Sequence, residues 1–540
     1  MPEYEGPKRR RRTQPGTSRV PEQPGVPRQD RQPGRGGAPL RPGKTAADFL
    51  AALRRCPALT LVALLAVCVP LIPAPVSNRH WHGLRTGSFE AGASLLLVLL
   101  LARFWTKDQR RNWAEALTTL PLRFLTAFFC WGCLSAALAP AKPFAMQGLL
   151  QVGAGALVAV TVGAEARRRP GNELLLNALT AATLLVTLSG LALFGQGSNQ
   201  LAIGLYQDHQ LYGAVFTLFL PLMLALSLSP GTPARRLLAP AALLGGAIAL
   251  GLSETRASWI GAATAGIVFL GLFLWARSFS PRKTPRSGWD WRQFPLPVIA
   301  AVGALTYFLM ASPGTGHVGE RMRTLTAAAM LGKGNSPHQR DSLNWRKVAW
   351  HGAWRMTRQK PELGWGIGCY PYYQHAFTGQ GEDRAQIVAS GATIPDEAHD
   401  SYLQIATETG LPGLFLWMGV LISTFALGIR ALQRAAPGCA RQQVLIGCLS
   451  ALAGQAVDAL ANPGWQFGEV SLFLWIVLGL TVALSLGEPA VTTKDSPKIM
   501  TPPLLFAALQ ASRVVLALAV GAGLLWIIFN TLAVLPAPIL

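Results

Sequence analysis

The chain has 540 residues, of which 51% are hydrophobic and only 14% charged, with a mean hydropathy of +0.32 and a net charge of +22. Soluble chains of this size carry about a quarter charged residues, so an ordinary soluble globular protein is excluded. The positive balance raises a nucleic-acid reading, but eleven Lys and Arg lie in residues 1–44 and most others in short loops between apolar blocks, where such charges set membrane topology.

Residues 1–50 hold the run Lys8 to Arg12 and are rich in Pro, Gly, Arg and Gln. This composition cannot bury a core and predicts a disordered cytoplasmic tail that orients the first helix and touches anionic lipid. A nuclear-localisation or RNA-binding role is the competing reading of the same run. No short apolar stretch with a cleavage site follows, so no removable signal peptide is expected.

Apolar blocks of about 17–23 residues then recur, the length of a helix crossing the hydrocarbon core. They predict spans near 57–74, 88–105, 121–138, 146–163, 173–195, 209–229, 237–253, 257–275 and 295–311. After a polar segment come spans near 411–430, 443–460, 470–486 and 512–534. The expected fold is an all-α polytopic membrane protein of 12–13 transmembrane helices, with helices 1–9 in 51–311, a large loop at 312–410 and the remaining helices in 411–540. Alternate loops test the orientation. Those on one side carry Lys107, Arg110 and Arg111; Arg167 to Arg169; Arg235 and Arg236; Arg277, Arg282, Lys283, Arg286 and Arg292; Arg434 and Arg441; and Lys494 and Lys498. Loops on the other side are nearly free of cations, apart from the first, with Arg79 and Arg85. The positive-inside tendency puts the amino terminus in the cytoplasm and the large loop outside.

That loop is too long for a plain connection and is expected to be functional. Residues 343–358 place Val348, Trp350 and Trp354 at helical spacing among Arg and Lys, as an interfacial amphipathic helix would. A turn-rich Gly364 to Gly368 and the aromatic run Tyr370 to Tyr373 follow.

The loop ends in Asp396-Glu397-Ala398-His399-Asp400-Ser401-Tyr402, a titratable cluster at a water–membrane border. His399 suits a general base, its tautomer or pKa tuned by Asp396, Glu397 and Asp400. Equally, the carboxylates read as the amino end of a helix, with Asp400 or Ser401 as cap. A metal site is a third reading, although no HExxH-type spacing exists. Arg256, in the Gly251–Gly261 connection of two spans, sits on the outer side, where a guanidinium can clamp phosphate bidentately. A snorkelling arginine, or one paired with Glu254, is the plainer alternative. Arg321, Arg323, Arg340, Arg346, Arg355 and Arg358 are read mostly as solvated or headgroup-facing cations, and His209 as an interfacial histidine. Cys130 and Cys133 have redox-motif spacing within an apolar span, where packing is the expected role.

The order of these features resembles the O-antigen ligase and polymerase family of bacterial envelope glycan enzymes. Three pieces carry the resemblance. The first is Ser253-Glu-Thr-Arg256 between two spans. The second is Arg346 to Trp350, followed by Pro361 to Gly368. The third is Ala398-His399-Asp400-Ser401-Tyr402-Leu403 with Glu408-Thr-Gly410-Leu-Pro-Gly413. Asp400 departs from the family's usual Asn. The resemblance spans about 95–485 and implies a GT-C-like fold in the bacterial inner membrane with a periplasmic catalytic loop. It implies transfer of a glycan from an undecaprenyl-pyrophosphate carrier to an acceptor hydroxyl, by a metal-independent, inverting glycosyltransferase without cofactors or nucleic-acid partners. His399 is then the catalytic residue, Arg256 and Arg346 bind pyrophosphate, and Asp400, Tyr402 and Glu408 support. The acceptor is lipopolysaccharide core, another glycan chain (a polymerase) or a protein hydroxyl. Outside enzyme chemistry, a solute transporter or an assembly scaffold competes. A transporter should show broken helices or a pseudo-repeat, and no repeat is evident; Asp458 is one of few ionisable residues within a span.

Overall fold

The computed structural model describes residues 56–72, 81–102, 106–194, 203–206, 208–229, 232–278, 337–378, 396–436 and 438–488. The basic tail and the expected spans at 295–311 and 512–534 lie outside these residues, as do Arg79, Arg321 and Arg323.

All regular structure among the described residues is helical. Helix α1 (Pro57–Cys68) runs into a 3-10 turn at Val69–Leu71; α2 (Trp81–Ala102), the short α3 (Lys107–Leu117), α4 (Leu120–Leu138), α5 (Lys142–Glu165) and α6 (Arg169–Leu193) follow. Next are α7 (His209–Leu228), α8 (Pro233–Leu252) and α9 (Arg256–Ser278). The loop contributes α10 (Pro337–Gln359) and α11 (Tyr370–Phe377), and the chain re-enters through α12 (Ser401–Arg434), α13 (Ala440–Asp458) and α14 (Gly468–Leu486). Nine of these are long and apolar enough to cross a membrane, so the chain is a multi-pass membrane protein. Helix α13 is not among the nine, because Gln442, Gln443 and Gln455 lower its hydropathy. It nonetheless occupies the span expected at 443–460, and a Cβ on its Gly454 would lie 2.7 Å from the Gly261 carbonyl of α9. Such small-residue contact is how helices associate where lipid is as apolar as leucine.

Helices α7 and α14 form the bundle's interior, with 78% and 89% of their apolar windows buried. Ile267, Phe415 and Leu237 point outward, as lipid-facing side chains do. At one end the cations are tied down. Arg167 pairs with Glu115 of α3 at 2.7 Å and donates to the Gly487 carbonyl, and Arg441 donates to the carbonyls of Leu484 and Ser485. Helix α3 itself is a difference from the sequence reading, which took Lys107, Arg110 and Arg111 as loop charges. Thr106 and Gln109 close a capping box that starts a polar helix along this end.

Arg85, the exception to the loop-charge bias, is 1% exposed. It donates to the carbonyls of Ile72 and Leu205 and pairs with the buried Glu469 at 3.6 Å, its guanidinium 4.9 Å from the Tyr206 ring centre. It therefore joins α2, the 203–206 turn and α14 and does not act as a topology signal. None of the seven cysteines, all among the described residues, forms a disulfide.

Candidate functional site

The loop helix α10 lays Val348, Ala349, Gly352, Ala353, Met356 and Thr357 as one buried stripe toward the start of α12. The Thr357 and Thr407 hydroxyls meet at 3.0 Å, and Thr407 donates to the Ala353 carbonyl. The helix is amphipathic, as its spacing predicts, but Trp354 is 54% exposed on the other face. The smaller residues make the contact because they let the two backbones approach.

Beyond α10, the segment from Pro361 to Gly368 locks onto a break in α12. Gly410 has φ 72° and ψ 177°, which divides the helix. The Leu411 N–H donates to the Pro361 carbonyl at 2.7 Å, Trp365 N–H to the Thr407 carbonyl, and Gly366 N–H to the Glu408 carbonyl. A Cβ on Gly364 would come within 2.4 Å of the Glu408 backbone, and one on Gly410 within 2.3 Å of the Glu362 carbonyl. The Glu408 carboxylate, 7% exposed, accepts from Gly368 N–H at 2.9 Å, from Gln404 at 3.1 Å and from Tyr370 N–H at 3.4 Å. The residues around Gly364 and Gly410 thus form one clamp, and Glu408 closes it.

The clamp holds the 396–400 stretch. Ala398 is fully buried with Ala353, Met356 and Tyr370, and its N–H donates to Gln404. Asp400 caps α12, its Oδ1 accepting from the N–H groups of Tyr402 (2.9 Å) and Leu403 (3.0 Å). Burial raises its carboxyl pKa, and those two N–H bonds pull it back. Tyr402 donates to the Ala456 carbonyl at 2.8 Å and stacks edge-on against Trp465, joining α12 to α13. Between a buried Ala398 and a capping Asp400, His399 is held in the left-handed region at φ 51°, which few non-glycine residues adopt. It is 7% exposed. Burial, then the positive charge of Arg346, lowers its pKa to about 3; Asp208 opposes this and His209 adds to it. The imidazole is therefore neutral at physiological pH.

Arg346, on α10, comes from a segment about 50 residues earlier than His399, and Arg256 is the first residue of α9. Burial and the neighbouring Arg256 cation lower the Arg346 pKa, while Asp458 raises it. Arg256 also begins a helix, the end at which the helix dipole disfavours a cation. Asp458 is fully buried at the end of α13. It accepts from Ser258 (2.7 Å) and Asn462 (2.7 Å) on one oxygen and from Gln455 (3.5 Å) on the other. Two arginines, one neutral imidazole and one supported carboxylate from four separated segments thus converge. Such a group can take a dianionic ligand on its cations and a proton on its imidazole.

Of the residues read from the sequence, Arg256, Arg346 and His399 converge, while Asp400, Tyr402 and Glu408 hold the surrounding backbone. Asp396 and Glu397 face a separate cleft. The placement of Asp458, with Ser258 and Asn462, near Arg346, and that of Asp208 near His399, escaped the sequence reading. A carboxylate inside an apolar span was the available signal for Asp458, but nothing local links it to residues 200 positions away. Cys369 is inert here, its thiol buried and pushed up to about 12. Among the described residues no three His, Cys, Asp or Glu side chains are grouped to hold a metal ion.

Residues 241–418 match the family model described as O-antigen ligase. The matched stretch holds Arg256, Arg346, His399 and the clamp, and stops short of Asp458. No curated protein matches the chain.

Proposed function

We propose that this multi-pass membrane protein moves a glycan from an undecaprenyl-pyrophosphate carrier to an acceptor hydroxyl on the periplasmic face of the bacterial inner membrane, a reading supported by the match of residues 241–418 to the O-antigen ligase family model. The observation carrying this reading is the pairing of Arg256 and Arg346 beside a neutral, buried His399. Two guanidinium groups set close together suit a doubly charged anion, and a pyrophosphate is such an anion.

In this reading Arg256 and Arg346 hold the donor's pyrophosphate and take up the charge that grows on it as the anomeric C–O bond breaks. His399 accepts the proton of the acceptor hydroxyl as its oxygen bonds to the anomeric carbon. The electron pair of the broken bond leaves with the pyrophosphate, and the lipid carrier departs as its diphosphate. Direct attack inverts the anomeric configuration. The imidazole must be unprotonated to act, and its lowered pKa provides this. Asp400, Tyr402 and Glu408 hold the backbone of the base and the donor cradle. The acceptor is lipopolysaccharide core, a growing glycan or a protein hydroxyl.

The test is genetic and chemical together. With His399→Ala as the only copy, membrane insertion is expected to persist while lipid-linked glycan accumulates. Complete polymer on the carrier identifies a ligase, and single repeat units identify a polymerase. Normal surface glycan with no accumulated intermediate would refute the reading.

A further inference from the structure

A cleft of about 270 Å³ opens beside residues 396 and 397, between α4, α5, α12 and α14. Its floor is aromatic. The Trp417 ring centre lies 5.1 Å from that of Trp465 and 5.5 Å from those of Trp475 and Phe128. Its polar lining includes Gln147, Asp396 and Glu397. Every charged side chain lining it is a carboxylate, the third being Glu408; among the described residues no Lys, Arg or His lines it. Arg256, Arg346 and His399 are all absent from its lining.

We propose that this cleft binds the acceptor, and that it takes an uncharged, hydroxyl-rich sugar end and turns away a phosphorylated one. The inference rests on the glycosyl-transfer reading above and adds which partner goes where. Indole and phenyl faces cover the C–H face of a sugar ring, while amide and carboxylate groups at the rim exchange hydrogen bonds with its hydroxyls. The carboxylates of Asp396 and Glu397 repel a phosphate, so a pyrophosphate donor is directed to the arginine side and kept out of the cleft. Glu397 and His399 are two residues apart, at most about 7 Å along the chain. The cleft therefore adjoins the backbone that carries the imidazole. The 396–400 stretch separates the two half-sites and contributes Asp396 and Glu397 to one and His399 to the other.

The experiment uses the full chain in native membranes as the only copy, with the host's own lipid-linked donor and its acceptor-bearing membrane extract. Gln147→Ala, at an exposed rim position, is expected to raise the acceptor KM about fivefold, the loss of one hydrogen bond, with the donor KM unchanged. Phe144→p-benzoylphenylalanine, also lining the cleft, is expected to photo-capture acceptor glycan in membranes depleted of the donor and to give no adduct with the donor alone. An adduct with the donor alone, no adduct with the acceptor, or a Gln147→Ala effect on the donor KM overturns the inference. The failures are separable. If the unaltered protein transfers nothing from the donor, the proposed function falls. If it transfers and His399→Ala does not, yet the cleft variants leave the acceptor KM alone, only the acceptor cleft falls.

Discussion

His399 is the residue at which burial and charge act in the same direction, and its titration is accordingly displaced. Its pKa of about 3 lies below the ordinary imidazole value of 6.5, so the unfolded chain binds a proton where the folded one does not. The stability it contributes is complete above pH 6.5 and is lost as pH falls toward 3. For catalysis, the acid limb of kcat/KM, which reports the free protein, should fall well below pH 6.5. The acid limb of kcat should lie higher, because bound pyrophosphate cancels the Arg346 field that lowers the imidazole. A pair of pH–rate profiles on purified protein checks both; coincident limbs near 6.5 would remove His399 as the base. Arg346→Ala should cost about 10²–10³ in kcat, the loss of one preorganised charge, read from initial rates at saturating donor. Asp400, the position that departs from the family pattern, has a plain account. A single oxygen caps α12, and Asp offers that acceptor as well as Asn does.

At the scale of elements, the clamp between the Pro361–Gly368 segment and the Gly410 break controls the site's geometry. Gly410→Ala puts a Cβ at positive φ and against the Glu362 carbonyl. It should cost about 1–3 kcal/mol from the backbone alone and lower the thermal midpoint of the solubilised protein. Glu408→Ala leaves the N–H groups of Gly368 and Tyr370 without their acceptor, each loss costing about 1–3 kcal/mol. Glu408→Gln keeps one of the two acceptor oxygens and should restore part of the midpoint; equal loss in both variants would mean that both oxygens are needed as acceptors. This clamp also marks how far the sequence could be read. The spans that fall among the described residues were legible because apolar runs of bilayer length have few other uses, and α10 because its apolar residues recur with helical period. Helix α3 was not, since Lys107-Asp-Gln-Arg-Arg reads as a charged loop unless the Thr106–Gln109 capping box is weighed. His399 and Arg256 stood out by residue type and position, and Arg346 through resemblance; their convergence depends on segments far apart in the chain. Glu408 matched a motif, but that its motif packs on the Gly364–Gly368 motif is a tertiary fact with no local trace.

At the scale of the whole molecule, the two ends of the bundle differ in how they treat cations. At one end Arg111, Arg167, Arg235 and Arg441 are engaged by Glu115, Glu173 and main-chain carbonyls. At the other, Arg256 and Arg346 stand against each other, with Asp458 as the facing carboxylate. The first arrangement ties its cations down within the protein; the second sets two cations together, and under the proposed function it is the second end that faces the periplasm. An orientation follows that can be measured. In a cysteine-free background, Glu362→Cys, exposed in the loop, should react with a membrane-impermeant maleimide in intact spheroplasts. Asp108→Cys, exposed on α3, should react only after the membrane is opened. The reverse pattern would put the site in the cytoplasm, where a carrier glycan displayed on the outer leaflet cannot reach Arg256 and Arg346. The assignment of donor would then fail together with the orientation, so the labelling result bears on the chemistry as directly as any substitution at His399.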